Sequence, residues 1–506
     1  MRRQPKTLAD QTFDVLVIGG GIQGISIFHE LARSGFNTAL IEADDFAAGT
    51  SAYSLKVIHG GLRYLQSADL PRMRRSIRAR RGFMQLAPDY IKPQGFLIPT
   101  SGLGPQHPWA MRIAFWVNDL ISADRNSGLP QSSWLPRGKV MTAKALRGVF
   151  QGNDAAFATG GAAWYDGFIH DVGRVAIEMV KSGYASGGSP CNYVRADRYL
   201  IEDGIITGVA ATDTESQSEM TIQASLVIEA AGTARPNLRA SMTSDLRADD
   251  QRWLKAVNLV LKRELSVDYA IGLKAKQPTE EESRYFFFAP YRGHTLFGTF
   301  YFSLPDREAP PAATAEEIRL MLAHAQSLGP DLELSADDVS MVHTGVIPAT
   351  SLGPNRRLVI KTSPAIRSGT GSVGVENLIE VQSVKYTESL DVASQVAQQA
   401  ARYLKREYRY SDPESLPASE LTSALTPKAV AERAVHDEMA VHLTDLILRR
   451  TSLGELYVPQ ERELQPYLDA MAAAASWDEA KIESELERLK GHYQAMGWSA
   501  RATRNL

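Results

Sequence analysis

Apolar runs and helical periodicity alternate along the first 45 residues of the chain. The run FDVLVI is rich in β-branched residues and predicts a buried strand. The next segment, ISIFHELARSG, has Ile25, Phe28 and Leu31 at helical spacing, which predicts a helix. Gly35 predicts the end of that helix, and the run NTALIEAD predicts a second strand that ends at Glu42. Strand, helix and strand therefore follow one another at short intervals.

Later regions have other patterns. The stretch SRYFFFAPYRGHTLFGTFYF predicts two aromatic-rich strands joined by a turn at Arg292-Gly293. The run ASLVIEAAGTARPNL predicts a strand that leads into Gly232, and KQPTEE and REAPPAATAEE predict loops from their proline and acidic content. From about Leu416 the chain is rich in Ala, Glu, Leu and Arg with helical periodicity, as in DEAKIESELERLKGHYQAM. A helical tail is therefore predicted after a mixed region.

A glycine motif joins the first predicted strand to the first predicted helix. Gly19, Gly21 and Gly24 fit the pattern G-x-G-x-x-G, and Glu42 follows 18 residues after the last of them. Glycines at these positions permit a tight turn, close approach of the backbone to a pyrophosphate, and close packing of helix and strand. The helix N-terminus offers N–H groups to phosphate, and the acid holds a ribose hydroxyl. The segment predicts a dinucleotide-binding site.

NAD and FAD both use this motif, and two features favour FAD. After the acid comes ADDFAAGTSAYS, a loop rich in small and hydroxyl residues, including Thr50 and Ser51, which suits a chain that follows a bound cofactor. Far downstream, the predicted strand that leads into Gly232 returns the chain to the nucleotide end of the cofactor. We therefore predict FAD as the cofactor.

Composition and charge narrow the class of protein. The chain has 506 residues, 44% hydrophobic and 22% charged, as in a globular protein of roughly two to four domains. Its net charge of −3 gives no excess that would indicate nucleic acid. The single cysteine, Cys191, is placed in a loop beside Pro190 and forms neither an intramolecular disulfide nor a metal site.

The apolar runs are short. None approaches the roughly 18–20 residues of a membrane-spanning helix, and no signal-peptide core follows Arg2 and Arg3. We expect a cytoplasmic protein, and peripheral attachment to the inner face of the membrane stays open because amphipathic surfaces need no long apolar run.

Longer stretches of the sequence resemble one family. They are DVLVIGGGIQG, IEADDFAAGTSAYSLKVIHGGLRYLQ, LAPDYIKPQGFLIP, HPWAMRIAFWVNDL, WYDGFIHDVGRVA and, in the tail, AERAVHDEMAVHLTDLILRRTSLG. On these motifs, of which HGGLRY is the most specific, the chain resembles the FAD-dependent glycerol-3-phosphate dehydrogenases, as a divergent member. That family lies within the glycine- and D-amino-acid-oxidase-like flavoprotein superfamily.

The resemblance implies an α/β fold with three parts. A Rossmann-type FAD-binding domain is interleaved with an antiparallel-sheet substrate domain, and a C-terminal α-helical domain follows. We assign the first two parts to residues 1–415, with the substrate part mainly in 85–160 and 250–345, and the helical domain to 416–506.

The resemblance also implies which residues form the site. In the family the HGGLRY segment passes beside the flavin ring, so Gly60 and Gly61 are expected to let the backbone lie against that ring. Arg63 and Tyr64 are expected to reach the substrate. His59 is expected to be a hydrogen-bonded structural histidine at the cofactor, and a covalent bond to the flavin is the alternative.

Three blocks depart from the family pattern. The family's Gly-Gly-Lys-Leu-Thr-Thr is SVKYTE here, which keeps Lys385 for contact with substrate or flavin but replaces a glycine by Val384. The family's Ser-Gly-Val-Arg-Pro is TGVIP here, so an active-site arginine suited to an anionic substrate becomes Ile347. A looser alignment replaces a candidate acid–base histidine by Asn258. His343 is then the candidate catalytic base.

Four other basic residues could compensate for the missing arginine, but residues of this kind are more often solvated loop residues: Arg292, His294, Arg356 and Arg357. The stretch PRMRRSIRARRGF carries six arginines with Met73, Ile77 and Phe83 between them. It fits a solvated helix face; contact with anionic lipid is the alternative, because members of the family pass electrons to membrane quinone.

These observations predict a FAD-dependent oxidoreductase that oxidises a secondary alcohol by hydride transfer to the flavin. The substrate is a small molecule, and the loss of the arginine at Ile347 argues against glycerol 3-phosphate itself. Two alternatives stay open. One is oxidation of a C–N bond in an amine or amino acid, and the other is a flavin-binding partner protein that has lost catalysis. The electron acceptor, quinone or another, and the oligomeric state are not determined by the sequence.

Overall fold

The structure is a computed structural model that describes residues 1–102, 104–234, 252–274, 284–304, 311–350, 359–360, 363–372, 374–416 and 424–496. Arg356 and Arg357 lie outside these ranges. The strands are β1 Thr12–Ile18, β2 Thr38–Ile41, β3 Val57–Ile58, β4 Ile91–Pro99, β5 Lys139–Met141, β6 Gly161–Ile169, β7 Ser189–Cys191, β8 Val194–Glu202, β9 Ile205–Asp213, β10 Ser218–Glu229, β11 Arg252–Leu261, β12 Tyr269–Leu273, β13 Phe286–Tyr291, β14 His294–Ser303, β15 Val339–Thr350, β16 Val359–Ile360, β17 Ala365–Ser368 and β18 Leu378–Gln382. The longer helices are α1 Ile22–Arg33, α2 Leu70–Leu86, α3 Pro108–Ile121, α4 Val172–Ala185, α5 Ala315–Leu328, α6 Ser389–Tyr403, α7 Pro427–Asp437, α8 Glu461–Ala475 and α9 Glu479–Ala495.

The first sheet carries the glycine motif. Among the described residues its strand order is β17-β18-β10-β1-β2-β7, with β9 on β10 and β8 on β9. The pairings of β1 with β2 and β10, of β2 with β7 and of β10 with β18 are parallel. Parallel strands are buried on both faces, which agrees with the nearly continuous apolar run of β1. The helices α1, α4 and α6 contribute many of the residues of the hydrophobic core that includes β1 and β2.

The second sheet is largely antiparallel and is built from segments that are far apart in the sequence. Its order is β16-β15-β11-β14-β13-β12-β4-β6-β3, with β5 on β6. The aromatic hairpin β13–β14 turns at Arg292 and Gly293, both in the left-handed region of φ, as predicted from the sequence. The antiparallel partners β11 and β15 bring Asn258 directly opposite His343.

The predicted mixed α/β fold with a helical C-terminal region is confirmed. The exact domain boundaries stay predictions, and the second sheet takes strands from 57–58, 161–169 and 359–360 in addition to the assigned ranges. Cys191, expected in a loop, lies instead on β7, buried, because that short strand pairs in parallel with β2. No described helix is long and apolar enough to cross a membrane.

Candidate active site

A cavity of ≈ 450 Å³ lies between the two sheets, at the carboxyl ends of β1 and β2. One end is lined by Gly19, Gly21 and Glu42, and the other by Ile347 and Lys385. Its volume is that of a site for a sizeable small molecule. The position agrees with the general rule that ligands of open α/β sheets bind outside the carboxyl ends of the strands.

The glycine motif is required by backbone packing at the first end. Gly19 has φ +106, and a Cβ there would lie 2.6 Å from the Ala230 carbonyl oxygen. A Cβ on Gly24 would lie 1.8 Å from the Gly19 carbonyl oxygen, so α1 packs on the turn only without a side chain at that position. Gly21 caps the N-terminus of α1 and borders the cavity. Gly24 itself does not line the cavity and acts through packing.

Glu42 is held by backbone donors at the end of β2. The N–H groups of Gly20 and Asp44 donate to its carboxylate at 2.5 and 2.9 Å. Burial raises the pKa of Glu42 to about 7, although these two backbone hydrogen bonds oppose the rise. A half-buried carboxylate at the end of the second strand, next to a glycine turn, suits a ribose hydroxyl, which donates a hydrogen bond.

The loop after β2 lines the cavity and is tied to both sheets. The N–H of Ile22, in the first turn of α1, donates to Ser51 Oγ at 2.9 Å. Thr50 Oγ1 accepts from the Val346 N–H at 2.8 Å and donates to the Val346 carbonyl at 2.9 Å. Both predicted hydroxyl residues, and Gly232 at the end of β10, therefore border the cavity. The two hydroxyls already bond to protein atoms.

The same loop is anchored to the C-terminal helices by buried ionic and polar contacts that the sequence did not indicate. Asp45, in the cavity wall, accepts from Arg449 at 2.5 Å and from Arg450 at 2.6 and 2.9 Å. Burial alone would raise the pKa of Asp45, but the charges of Arg450 and Arg449 hold it well below its ordinary range. Tyr53 bonds to His492 of α9 at 3.0 Å, so a second wall residue also contacts the C-terminal part of the chain.

A third contact follows in the loop. Lys56, fully buried, pairs with Glu455 at 2.6 Å. We name Asp45, Tyr53 and Lys56 with their C-terminal partners the C-terminal anchor. The contacts are made by residues that are some 400 positions apart in the sequence, and each chemical type is common at protein surfaces. The one feature of the sequence that points to these contacts is therefore the resemblance of LILRR and its surroundings to the family's C-terminal domain.

The structure gives the HGGLRY segment a specific packing. A Cβ on Gly60 would lie 2.3 Å from the Arg80 guanidinium, and the Gly60 N–H donates to Asp166 at 2.7 Å. Gly61 has φ +76 and caps the 3₁₀ turn Leu62–Leu65. His59 meets the Tyr64 ring edge-on at 6.5 Å. The described cavity wall includes none of residues 59–61 or 63–64, so contact of these residues with flavin or substrate stays a prediction.

His59 is poorly suited to carry a proton at neutral pH. Burial first, and then the charges of Lys385 and Arg63, lower the pKa of His59 to about 3. Its backbone N–H donates to Thr387 Oγ1 at 3.2 Å, which links the segment to the chain around Lys385. The role expected for the His59 side chain at the cofactor stays a prediction.

Tyr64 is surrounded by cations. Lys385 Nζ donates to the Tyr64 hydroxyl at 2.7 Å and to Glu388 at 2.9 Å. The guanidiniums of Arg63 and Arg72 lie 5.3 and 4.8 Å from the centre of the Tyr64 ring. Burial by itself would raise the pKa of Tyr64, but the hydrogen bond from Lys385 and the charges of Lys385 and Arg63 lower it. Lys385 thus connects the cavity to Tyr64.

The opposite wall is apolar and aromatic. Ile347 is 6% exposed and packs with Leu254 and Ala349. Trp253, Ala256 and Tyr301 border the same part of the cavity. Among the described wall residues Lys385 is the one cation. The Arg284 guanidinium stacks 4.5 Å over the ring of the wall residue Tyr301.

The chain matches a known family over most of its length. The family of FAD-dependent oxidoreductases, DAO, matches residues 14–382. The chain belongs to this family. By sequence the oxidoreductase is 26% identical over 418 residues to a glycerol-3-phosphate dehydrogenase of Synechocystis sp., covering 80% of this chain and 73% of the relative.

Two further similarities are informative. The oxidoreductase is 29% identical over 353 residues to an alpha-glycerophosphate oxidase of Streptococcus pyogenes, covering 68% of this chain and 55%, about half, of the relative. A solved glycerol-3-phosphate dehydrogenase from Bacillus halodurans, complexed with FAD, has a TM-score of 0.70 at 20% identity, covering 99% of this chain and 97% of that one. L-proline dehydrogenase from P. horikoshii has a TM-score of 0.56 at 17% identity, covering 80% and 96%. These two structures show the fold.

The cofactor of this oxidoreductase is therefore FAD, as predicted, and the chain is of the glycerol-3-phosphate dehydrogenase and oxidase type. The residues of the cavity fit that cofactor. The glycine turn, the start of α1 and Glu42 suit its pyrophosphate and ribose. Further along the wall, Gln23 Oε1 and Ser383 Oγ are buried without a hydrogen-bond partner among the described atoms. Such buried polar atoms are expected to find a partner in a bound polar group.

In the oxidoreductase His343 is buried away from the described cavity wall, whereas Asn258 lines the cavity. His343 is fully buried behind Tyr53, 5.4 Å between ring centres, and its Nε2 bonds to the Glu455 carbonyl at 2.8 Å. Burial, followed by the charge of Lys56, lowers the pKa of His343 to about 4. Asn258 lines the cavity, accepts from Thr299 at 2.8 Å and donates to the Tyr53 carbonyl at 3.2 Å.

The structure thus does not bring His343 into the described cavity wall, and the catalytic role predicted for it has no geometric support here. His294 and Arg292 lie at the turn of the aromatic hairpin, where Arg292 pairs with Asp171 at 3.6 Å. Their position is in the turn and not in the wall. Lys385 lies in the described cavity wall and contacts Tyr64, which lies outside that wall; contact of either residue with a substrate stays a prediction.

Proposed function

We propose that this oxidoreductase oxidises a secondary alcohol to a ketone, and that its substrate is not glycerol 3-phosphate. Bound FAD supplies the acceptor for a hydride from the carbinol carbon. The chain's own residues have three tasks, which are to bind the substrate, to take the hydroxyl proton and to keep water from the reacting atoms.

The observation that carries the substrate proposal is the wall at Ile347. A phosphate ester needs cationic or N–H donors, and arginine is the side chain that meets it with a bidentate fork. Here the described side chains beside Ile347 include Trp253 and Ala256, and Lys385 is the one cation among the described residues of the cavity wall. An uncompensated phosphate against this wall would lose its hydration without gaining partners. A larger or less charged hydroxylated substrate, with an apolar part against Ile347, fits better.

The proton acceptor that we propose is Tyr64. Lys385 is in the cavity wall and donates to the Tyr64 oxygen at 2.7 Å, with Arg63 beside the ring. These positive charges stabilise the phenolate form of Tyr64. The Tyr64 phenolate would take the hydroxyl proton of the substrate, bound FAD would supply the hydride acceptor, and the C–O bond would become the carbonyl of the ketone. Lys385 also donates to the forming carbonyl oxygen.

The second half of the turnover needs an electron acceptor, for which oxygen, a quinone and a partner protein are the candidates. We retain the prediction of a cytoplasmic protein, with peripheral contact with the membrane as the open alternative. The named activities of the relatives, glycerol-3-phosphate dehydrogenase and alpha-glycerophosphate oxidase, support a hydroxyl rather than an amine as the group oxidised.

The test is anaerobic reduction of the FAD-loaded protein by a panel of alcohols, polyols, glycerol 3-phosphate and amines. The loss of flavin absorbance is the readout. We expect an uncharged or large secondary alcohol to reduce the flavin at least about tenfold faster than glycerol 3-phosphate. Faster reduction by glycerol 3-phosphate contradicts the substrate proposal, and reduction by amines alone shows C–N oxidation. Reduction by no donor supports a flavin-binding partner protein.

A variant at the wall sharpens this test. Ile347→Arg restores the guanidinium of the family pattern, and we expect it to raise the rate with glycerol 3-phosphate while lowering the rate with the preferred alcohol. Ile347→Leu is the matched control, because it keeps an apolar side chain of equal volume. Flavin absorbance per protein is measured for each, so a variant that fails to bind FAD is recognised. Equal rates of flavin reduction by glycerol 3-phosphate in the arginine and leucine variants would contradict the proposed role of this wall in substrate selection.

A further inference from the structure

A second cavity, of ≈ 420 Å³, lies between the arginine-rich helix α2 and the start of α6. Its described wall is mostly polar and includes Arg72, Arg75, Glu388, Asp391 and Gln395. Arg75 and Gln395 are exposed, so this cavity reaches the solvent. It shares no described wall residue with the cavity between the two sheets, which we now call the first cavity.

One side chain of the second cavity is connected to the proposed proton acceptor. Lys385, in the wall of the first cavity, donates from Nζ to the Tyr64 hydroxyl at 2.7 Å and to Glu388 Oε1 at 2.9 Å. A single ammonium group therefore contacts both the phenol and the carboxylate. Tyr64, Lys385 and Glu388 form a continuous hydrogen-bonded chain, with one member in the wall of the first cavity and one in the wall of the second.

A short turn sets this arrangement. Tyr386–Glu388 is a 3₁₀ turn with Lys385 as its N-cap. Residues three apart are aligned in such a turn, so Lys385 and Glu388 stand side by side. The turn is fixed to the HGGLRY segment, because Thr387 Oγ1 accepts from the His59 N–H at 3.2 Å. The family pattern Gly-Gly-Lys-Leu-Thr-Thr has threonine at the position of Glu388, so this carboxylate is a departure of the chain from that pattern.

The two oxygens of the Glu388 carboxylate have different surroundings. Oε1 accepts from Lys385, and the Arg72 guanidinium lies 3.8 Å from the same oxygen. Oε2 is buried without a hydrogen-bond partner among the described atoms, in a residue that is 9% exposed. A buried polar atom beside a polar cavity is expected to bond to water there. Glu388 is thus placed to exchange a proton between Lys385 and water.

We propose that Glu388 relays the proton of each turnover from Tyr64 and Lys385 to water in the second cavity. The inference rests on the proposed role of Tyr64 as the proton acceptor. Once Tyr64 has taken the hydroxyl proton of the substrate it is a neutral phenol, and it must lose that proton before the next turnover. Lys385 takes the phenolic proton while it gives one of its own to Glu388. This restores the phenolate and the ammonium, and Glu388, now a neutral carboxylic acid, gives the proton to water.

A separate exit for the proton suits the chemistry of the first cavity. FAD and substrate occupy that cavity during the reaction, and water must be kept from the reacting atoms. A path through Glu388 lets the proton leave without opening the first cavity to water. Glu388 acts through Lys385 and Tyr64 rather than on the substrate, so it is a positioning residue for the proton.

The first experiment follows Tyr64 directly and needs no substrate. The FAD-loaded protein is moved rapidly across the pKa of Tyr64, and the ultraviolet absorbance of the phenolate is recorded, with Tyr64→Phe as the background. Glu388→Gln keeps an acceptor for Lys385 but cannot carry a proton, so we expect ionisation at least about tenfold slower. Asp391→Asn is the matched control, because Asp391 lines the same cavity but accepts from Gln395 at 2.8 Å. We expect it to leave the ionisation rate unchanged.

A role of Glu388 that is only to hold Lys385 in place predicts a different result. Burial alone would raise the pKa of Tyr64 and Lys385 lowers it, so a displaced Lys385 would raise that pKa at equilibrium. The relay predicts that the pKa of Tyr64 does not rise in Glu388→Gln and that only the rate of ionisation falls. Glu388→Ala leaves space for a small acid, and we expect formate to restore the rate in this variant but not in Glu388→Gln.

Turnover separates the relay from the proposed function. With the fastest alcohol of the panel, at a pH where Tyr64 is ionised, the first anaerobic reduction of the flavin is expected to keep its rate in Glu388→Gln. Sustained turnover with dichlorophenolindophenol as electron acceptor is expected to fall at least about tenfold, because Tyr64 is not reset. Unchanged ionisation in Glu388→Gln, with slowed flavin reduction in Tyr64→Phe, would overturn the relay alone. Unchanged flavin reduction in Tyr64→Phe would overturn the proton acceptor and the relay together.

Discussion

The two ends of the cavity are built in different ways. At the nucleotide end, Gly19, Gly24 and Glu42 come from one continuous stretch of 24 residues, and backbone atoms make most of the contacts. At the substrate end, side chains from β11, β14, β15 and the segment after β18 meet across the second sheet. The cofactor is the same throughout a family, so one local motif is enough to bind it. The substrate differs between members of a family, and a wall built from separate side chains can be altered by single substitutions.

The C-terminal anchor complicates this simple contrast. It ties the loop of the nucleotide end to helices from the last part of the chain, through Asp45, Tyr53 and Lys56. The glycine motif of the nucleotide end is therefore local in the sequence, but the contacts that hold its loop join residues that are far apart along the chain. Four predictions test the contrast, in order of decreasing expected effect.

Removing one charge from the anchor is expected to have the largest effect. Arg450→Met leaves the fully buried Asp45 with fewer partners, and loss of one member of a buried ion pair costs about 3–5 kcal/mol. We expect lower stability in denaturant and a lower flavin-to-protein absorbance ratio. Arg462→Met, at an exposed position of α8, is the control. If stability falls while the affinity for FAD, measured on folded protein, is unchanged, the anchor supports the fold and not the cofactor site.

The next effect concerns the proton acceptor at the substrate end. Tyr64→Phe removes the hydroxyl that Lys385 contacts, and we expect flavin reduction to slow by about 100-fold or more, as for loss of a general base. In the natural protein the rate should rise with pH through the lowered pKa of Tyr64 and then level off. Lys385→Met removes the charge that lowers this pKa, so the rise should move to higher pH. A pH profile that is the same in all three proteins excludes Tyr64 as the base.

A smaller effect is expected from the glycine motif. Gly24→Ala puts a Cβ where the distance to the Gly19 carbonyl oxygen would be 1.8 Å, so α1 must move, at a cost of about 1–3 kcal/mol. We expect weaker FAD binding, measured by flavin fluorescence on titration of the apoprotein. Gly49→Ala is the matched control, since Gly49 lines the same cavity and its Cβ would meet nothing within 4 Å. Equal affinities in the two variants would show that this packing is not needed for the cofactor.

The smallest effect is a pH dependence of cofactor binding. Burial raises the pKa of Glu42 to about 7, and a ribose hydroxyl bonds best to the ionised carboxylate. The apoprotein should therefore bind FAD more tightly as pH rises, by about tenfold between pH 6 and pH 8, with no further gain above. Glu42→Gln should bind less tightly and without this dependence. A dependence that persists in the glutamine variant belongs to another group.

The sequence was informative wherever the function rests on short spacing. The strand, glycine turn, helix and acid from Phe13 to Glu42 were predicted in type and order, because turn geometry and helix–strand packing are set by neighbouring residues. The aromatic hairpin was predicted for the same reason. HGGLRY indicated the family, but the structure adds a packing reason for one glycine, since Gly60 makes room for the Arg80 guanidinium.

What the sequence did not reveal depends on pairs of residues that are distant along the chain. His343 was an attractive base from its position in a motif, yet β15 carries it behind Tyr53 to the Glu455 carbonyl, where it is fully buried. The pairing of Asp45 with Arg449 and Arg450 joins positions some 400 residues apart. The exposure of the outward apolar face of α3 could not be predicted either, because an apolar stripe in a helical sequence normally predicts a buried face.

The sequence by itself determined that this protein is a flavin enzyme, since the cofactor is recognised by a local run of backbone and glycine geometry. It also determined that the arginine of the family pattern is absent, because Ile347 is read directly from its motif. Only the tertiary structure decided that an apolar wall surrounds Ile347, that Lys385 contacts Tyr64, and that the last helices hold the cofactor loop. Local motifs fix backbone conformation, whereas burial, hydrogen bonding and charge pairing arise only when distant segments pack together.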